Sequence, residues 1–335
     1  MPHCCNHNFV DSAVLQPISF APLPLLSSGH IQTILGGFPS LRSAPPSVTH
    51  LVSLNDGDIL ACEVATPTGW HPEQRTAFLI HGLCGSDRSP RVIRLARKLY
   101  RRGVKVVRIN LRGCGSGKGH ARKPYHGGCS GDIAAVLKAF KTETPYSPFC
   151  VTGFSLGGNI ALKLAGELGS AAEDLLDLVI AISPPIDLAA SVQRIGLSEN
   201  RLYEVAFIRG LLQEVTERHA MFPELQPVMF PFDPKLFAFD QLYTAPAWGF
   251  TDALDYYDRA SAKPLIKNIT IRSHIIVAED DPIIDPYALD PKTIPNSVQV
   301  WRTACGGHMG YVARPRRGQS IHWLDQLMIK WIEAS

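Results

Sequence analysis

The sequence predicts an α/β fold: a mostly parallel sheet with helices on both faces and one large inserted segment. Short β-branched apolar runs alternate with helix-length segments over most of the chain. Six of these runs are continuously apolar, as in strands buried on both faces of a parallel sheet. The alternation is broken once, by residues 186–265, a span far longer than the dozen or so residues of a simple crossover.

Residues 1–46 are rich in Pro, Ser and Gly and carry few charges, so they read as an irregular arm packed on the core. The first part of the core, 47–185, opens with Val48–Leu54 and Ile59–Ala65. These flank Asn55-Asp56-Gly57-Asp58, a strong hairpin signal. The six buried strands follow: Thr76–Ile80, Val104–Ile109, Phe149–Thr152 and Leu178–Ile182, then His274–Ala278 and Val298–Trp301 in the second part of the core, 266–335. Helices are expected at Pro90–Arg101, Ser130–Lys141, Asn159–Glu167 and Ser320–Ala334. The insertion 186–265 holds twelve of the 28 aromatic residues (14 Phe, 5 Trp, 9 Tyr). That enrichment suits a lid with an apolar inner surface, or a satellite domain with a small core of its own.

Chemistry is concentrated where Phe149–Thr152 runs into Gly153-Phe154-Ser155-Leu156-Gly157-Gly158-Asn159 and then a helix. A Gly-x-Ser-x-Gly sequence between strand and helix makes a sharp turn that lifts the serine Oγ out of the sheet. It also points the Leu156 amide, at a helix N-terminus, toward a developing oxyanion. A serine needs a base, and the base an acid to orient it. With such a turn they follow in the order serine, acid, histidine. His308 lies in the glycine-rich Cys305-Gly306-Gly307-His308-Met309-Gly310, just past the last strand, and is preferred over His274, at a strand start, and His322, in the last helix. The acid comes from Glu279-Asp280-Asp281-Pro282, which ends the penultimate strand. Asp281 is the first candidate and Asp280 the second, ahead of Asp285 and Glu279. Leu83, in His81-Gly82-Leu83-Cys84-Gly85-Ser86, offers a second oxyanion amide. His81 reads as a turn residue and Cys84 as packing.

These stretches resemble the α/β-hydrolases, and more narrowly the YheT-like branch related to the ABHD1/3-type lipases and medium-chain esterases of eukaryotes. The resemblance rests on Gly29-His30-Ile31-Gln32-Thr33, His81-Gly82-Leu83-x-Gly85-Ser86 and Asn110-Leu111-Arg112-Gly113-Cys114-Gly115-Ser116. It continues through Tyr125-His126-Gly127-Gly128, the Ser155 turn, Asp280-Asp281-Pro282 and Gly306-Gly307-His308-x-Gly310, in order over residues 29–310. It implies an eight-stranded sheet, a Ser–Asp–His triad and carboxylic ester substrates, with some members making esters by acyl transfer. Unlike the eukaryotic members, the chain is expected to lack an N-terminal membrane anchor.

Composition narrows the rest. With 45% hydrophobic and 19% charged residues and a net charge of +3, the chain is globular and its overall charge selects no partner. Eight cysteines without a CxxC pair argue for a reducing, cytoplasmic setting. His3, Cys4, Cys5 and His7 lack a second cluster to complete a metal site, so no metal or cofactor is expected. From Arg88 to Gly131 there are thirteen Lys/Arg and no Asp/Glu. That stretch reads as a solvated helix face, with peripheral contact to an anionic surface as the alternative. Arg314-Pro315-Arg316-Arg317 could add an anion contact near the site mouth. Gly113–Gly119 fails the phosphate-loop spacing, and no interleaved basic and aromatic motif suggests nucleic acid.

The expected activity is hydrolysis of short- to medium-chain acyl esters, with an apolar acyl group, through an acyl-enzyme. The alternatives are an acyltransferase using the same residues and a non-enzymatic binding protein on the same fold.

Overall fold

The computed structural model describes residues 15–38, 43–315 and 320–334. The His3–His7 cluster, Arg316 and Arg317 lie outside them. Among the described residues nine strands form one sheet: β1 (Leu15–Pro17), β2 (Val48–Ser53), β3 (Ile59–Ala65), β4 (Thr76–Ile80), β5 (Lys105–Ile109), β6 (Phe149–Phe154), β7 (Leu178–Ile182), β8 (Arg272–Ala278) and β9 (Val298–Thr303). Their order is β1-β9-β8-β7-β6-β4-β5-β3-β2. Eight of these were expected. The ninth, β1, is three residues of the arm added in parallel to the β9 edge, too short to leave a pattern in sequence. β3 pairs antiparallel with both β2 and β5, and every other pair is parallel.

The helices are α1 (Gly29–Gly37), α2 (Pro90–Tyr100), α3 (Ser130–Glu143), α4 (Leu156–Leu168), α5 (Leu188–Ile195), α6 (Arg201–Met221), α7 (Leu236–Phe239), α8 (Ala245–Trp248), α9 (Ala253–Ala260) and α10 (Trp323–Glu333), with a π-turn at Asp240–Thr244. Helix α1 corrects the expectation of an irregular arm. His322, expected inside the last helix, precedes it and bridges to Val312. Every residue of β4, β5, β6 and β7 is buried, because both sheet faces are covered. Along β8, Ile275 and Val277 face one core while Ile276 and Ala278 face the other, the two-residue period of a strand. The insertion has no core of its own. Phe239, Tyr243, Tyr256 and Tyr257 join the same core as α3 and α4.

The basic stretch is largely neutralised within the molecule. Arg94 and Lys98 of α2 reach the fully buried Asp325 of α10 at 2.6 and 2.8 Å. Arg108 pairs with Asp87 at 3.2 Å. Arg112 binds Asp58 at 2.6 Å and Asp56 at 2.8 Å, and both oxygens of Asp132 at 2.7 Å, while its guanidinium lies over Trp248. Lys118, Arg122 and Arg102 meet Glu217, Glu224 and Glu333. Neither the solvated-face reading nor the anionic-surface reading describes this pairing. Removing one partner from a buried ion pair usually costs about 3–5 kcal/mol, so the buried contacts of Arg94, Arg108 and Arg112 fix the packing of distant segments.

β4 and β6 are sheet neighbours whose following connections leave in opposite directions, to β5 and to β7. A crevice outside the carboxyl ends of such strands is where open α/β sheets place ligands. Ser155 follows β6 at that point, and Leu83 follows β4.

Candidate active site

Ser155 occupies a sharp turn with φ 50° and ψ −117°, a conformation costly for a residue with a Cβ. The flanking glycines make it possible. A Cβ on Gly153 would strike the carbonyl of Gly157, and one on Gly157 would sit 2.5 Å from the His81 carbonyl and 2.6 Å from that of Ile80. The start of α4 therefore presses directly on the end of β4. Asn159 ties this elbow downward: its Nδ2 donates to Gly127 O and Ala260 O at 2.8 and 2.9 Å, and its Oδ1 accepts from Ala262 N. One side chain thus joins α4, the Tyr125–Gly128 loop and the end of the insertion.

Ser155, His308 and Asp281 come together from three separate loops. Ser155 Oγ lies 2.8 Å from His308 Nε2, and His308 Nδ1 lies 2.9 Å from Asp281 Oδ2 and 3.2 Å from Oδ1. Asp281 is fully buried and His308 is 4% exposed. A carboxylate accepts only, so the imidazole carries its proton on Nδ1 and leaves Nε2 free to accept from the serine hydroxyl. The amides of Ile283 and Ile284 also donate to Asp281 Oδ1, which fixes the carboxyl plane. Asp280, the second candidate, is turned away. Its Oδ1 accepts from Gly307 N at 2.8 Å and so braces the histidine loop.

Sequence reading missed several supports. Thr33 Oγ1 accepts from His308 N at 2.8 Å and donates to Gly29 O at 2.6 Å. Gln32 accepts from Val312 N and donates to Val312 O and Leu26 O. The arm helix α1 therefore holds the loop that carries His308. The Gly29–Thr33 match is the available signal, but nothing in the sequence links it to a loop 275 residues later. Arg194 and Asn200, from the insertion, donate to the carbonyls of Asp281 and Pro282. Tyr203 of α6 stacks on His30 of α1.

Leu83 and Leu156 line the same cavity as Ser155. Leu156 begins α4, so its N–H is one of the unpaired amides of a helix N-terminus. In the Leu83 turn, Cys84 N donates to Tyr125 Oη and Gly85 N to Gly82 O. His81 is fully buried, accepts from Leu111 N through Nε2, and donates from Nδ1 to Gly82 O. Burial pushes its pKa from 6.5 down to about 4, as suits a neutral turn residue. Burial raises the Cys84 thiol, which keeps it an un-ionised packing group. His274 stacks on Trp331 and accepts from Trp301, well away from Ser155. No cluster of three or more metal-ligating side chains occurs among the described residues. No helix among them is long and apolar enough to cross a membrane.

A family model described as the alpha/beta hydrolase fold matches residues 78–315. YheT of Escherichia coli (strain K12) is 28% identical over 324 residues, covering 93% of this chain and 92% of its own. The medium-chain fatty acid ethyl ester synthase/esterase 2 of Saccharomyces cerevisiae is 26% identical over 285 residues, covering 76% of this chain and 62% of its own. The solved structure of the esterase Pf2001 of Pyrococcus furiosus superposes with a TM-score of 0.53 at 15% identity, over 89% of this chain and 96% of that one. It shares the fold. The chain is an esterase-like member of the alpha/beta hydrolase fold family.

Proposed function

We propose that this protein is a serine hydrolase that cleaves carboxylic esters with short- to medium-chain apolar acyl groups. The observation that carries the reading is the unbroken hydrogen-bonded chain Ser155–His308–Asp281 beside a mostly apolar cavity. Ser155 attacks the ester carbonyl as His308 Nε2 takes its proton, and Asp281 holds the resulting imidazolium. The amides of Leu83 and Leu156 receive the tetrahedral oxyanion. His308 then protonates the leaving alcohol, and water repeats the sequence on the acyl-enzyme. Segment 186–265 acts as the lid, since α5, α6, α7 and α9 supply most of the apolar cavity wall. The six described cysteines are all free thiols, which fits a cytoplasmic enzyme.

Acyl transfer needs the same residues and differs only in admitting an alcohol instead of water. The named activity of the yeast relative, ester synthesis as well as hydrolysis, makes it the second reading. Turnover of p-nitrophenyl esters from acetate to palmitate tests the proposal. Wild type should show a chain-length optimum, and Ser155→Ala should lose on the order of 10⁴-fold or more in kcat. Equal rates in the two proteins would end the enzyme reading. Added ethanol partitions the products: ethyl ester in excess of acid would favour transfer.

A further inference from the structure

The cavity beside Ser155 is lined mostly by apolar side chains but also carries charged ones. Phe207, Leu211 and Val215 of α6 line it, and so do Glu214 and Arg218 of the same helix. Cys84, next to the Leu83 amide, packs against Gly210. Glu214 follows Gly210 by one turn and Arg218 by two, roughly 6 and 12 Å along the axis. A ligand reaching from the serine along this helix therefore meets both charges.

Glu and Arg four residues apart on a helix commonly pair with each other. Here each is turned to a different tyrosine. Arg218 Nη1 donates to Tyr243 Oη at 2.9 Å, and Glu214 Oε1 accepts from Tyr125 Oη at 3.3 Å. Arg218 is 6% exposed and its Nε has no partner. Burying a guanidinium with an unused N–H beside a carboxylate with spare lone pairs is unfavourable unless a polar group answers both. Burial, opposed by the Arg218 charge, pushes the Glu214 pKa up to about 7, so near neutral pH this carboxyl can accept or donate. A purely aliphatic tip would leave the Arg218 Nε–H unanswered, and an anionic one would face Glu214. A hydroxyl satisfies the pair, accepting from Arg218 and donating to Glu214.

We propose that the cavity selects esters whose medium-length apolar segment ends in a hydroxyl group held between Arg218 and Glu214. The inference rests on the serine-esterase reading and names its substrate class. The hydroxyl can sit on the acyl or the alcohol side of the ester, and two assays separate these sources. One compares a medium-chain ω-hydroxyacyl p-nitrophenyl ester with its unsubstituted twin. The other compares the acetate monoester of a medium-chain α,ω-diol with the acetate of the matching alkanol.

Wild type should favour the hydroxylated member of one pair by at least about tenfold in kcat/KM, because a site built to hydrogen-bond a hydroxyl rejects the analogue lacking it. Arg218→Met should collapse that ratio to near unity. Glu214→Gln, which preserves size, should reduce it too. The ratio is read within each variant, so a general loss of activity cannot mimic the effect. No preference in either pair, or a preference unchanged by both substitutions, overturns the inference while leaving esterase activity intact. Absence of Ser155-dependent turnover on p-nitrophenyl acetate overturns the esterase reading and this inference together.

Discussion

Asp280 and Asp281 are adjacent, yet the bend at Pro282 sends them to different tasks. Asp281 faces the His308 ring and two backbone amides, while Asp280 faces the Gly307 amide. In Asp281→Asn one carboxylate oxygen becomes an NH2 that cannot accept from Nδ1. The imidazole then favours the wrong tautomer, and kcat should fall on the order of 10⁴-fold with KM little changed. Asp280→Asn keeps an oxygen for Gly307 N, so kcat should stay within about tenfold, roughly 1.4 kcal/mol. Steady-state kinetics of the two variants side by side check the assignment, and a larger loss in Asp280→Asn would reverse it. Thr33 belongs to the same scale. Thr33→Val removes the oxygen that accepts from His308 N and should lower kcat more than it raises KM, with Thr33→Ser restoring the rate.

At the scale of elements, ion pairs rather than apolar contact alone fix how distant segments meet. Arg112, 3% exposed, answers Asp56 and Asp58 of the β2–β3 hairpin and Asp132 of α3. Arg112→Met leaves Asp58 and Asp132 without their cation, and Asp56 with Lys123 alone, and should destabilise the fold by about 3–5 kcal/mol, read as a lowered urea midpoint. A midpoint unchanged from wild type would show that water or Lys123 replaces it. The sequence reveals eight strands and the four helices α2, α3, α4 and α10 because each is a local pattern, as in the apolar runs Thr76–Ile80 and Leu178–Ile182, whereas the helices of the arm and of the insertion are not expected from it. The Ser155 elbow is equally local, with its glycines adjacent to the serine. Pairing partners are not local. Nothing in the order of residues ties Arg94 to Asp325 or Thr33 to His308, so the basic stretch looks like a free surface and the arm like an irregular cover. The three-residue β1 is invisible for the opposite reason, having too few residues to show any period.

For the whole molecule, buried titratable groups set how stability depends on pH. Burial lowers the pKa of His81, His274 and His322 from 6.5 to about 4, and of His126 to about 3. Between those values and 6.5 the unfolded chain binds more protons than the folded one, so stability rises with pH. Burial also raises Asp240 from 3.8 to about 6 and Glu214 from 4.5 to about 7. There the folded chain holds the extra proton, and stability falls as pH rises through the same window. The four histidines, shifted furthest, outweigh these two acids and the smaller upward shifts that burial gives Asp87, Asp132 and Asp280, so the melting temperature should climb from about pH 4 to 6.5. A scan by differential calorimetry checks this, and a melting temperature that falls across the window would contradict it.

The proposed reaction turns on Ser155 as a nucleophile activated by His308. The most direct measurement is intact-mass and peptide analysis after exposure to a fluorophosphonate, which forms a covalent bond only with an activated serine. One adduct on the peptide carrying Ser155, abolished in Ser155→Ala and strongly slowed in His308→Ala, is the predicted result. An unlabelled wild type, or labelling at another residue, would contradict the account.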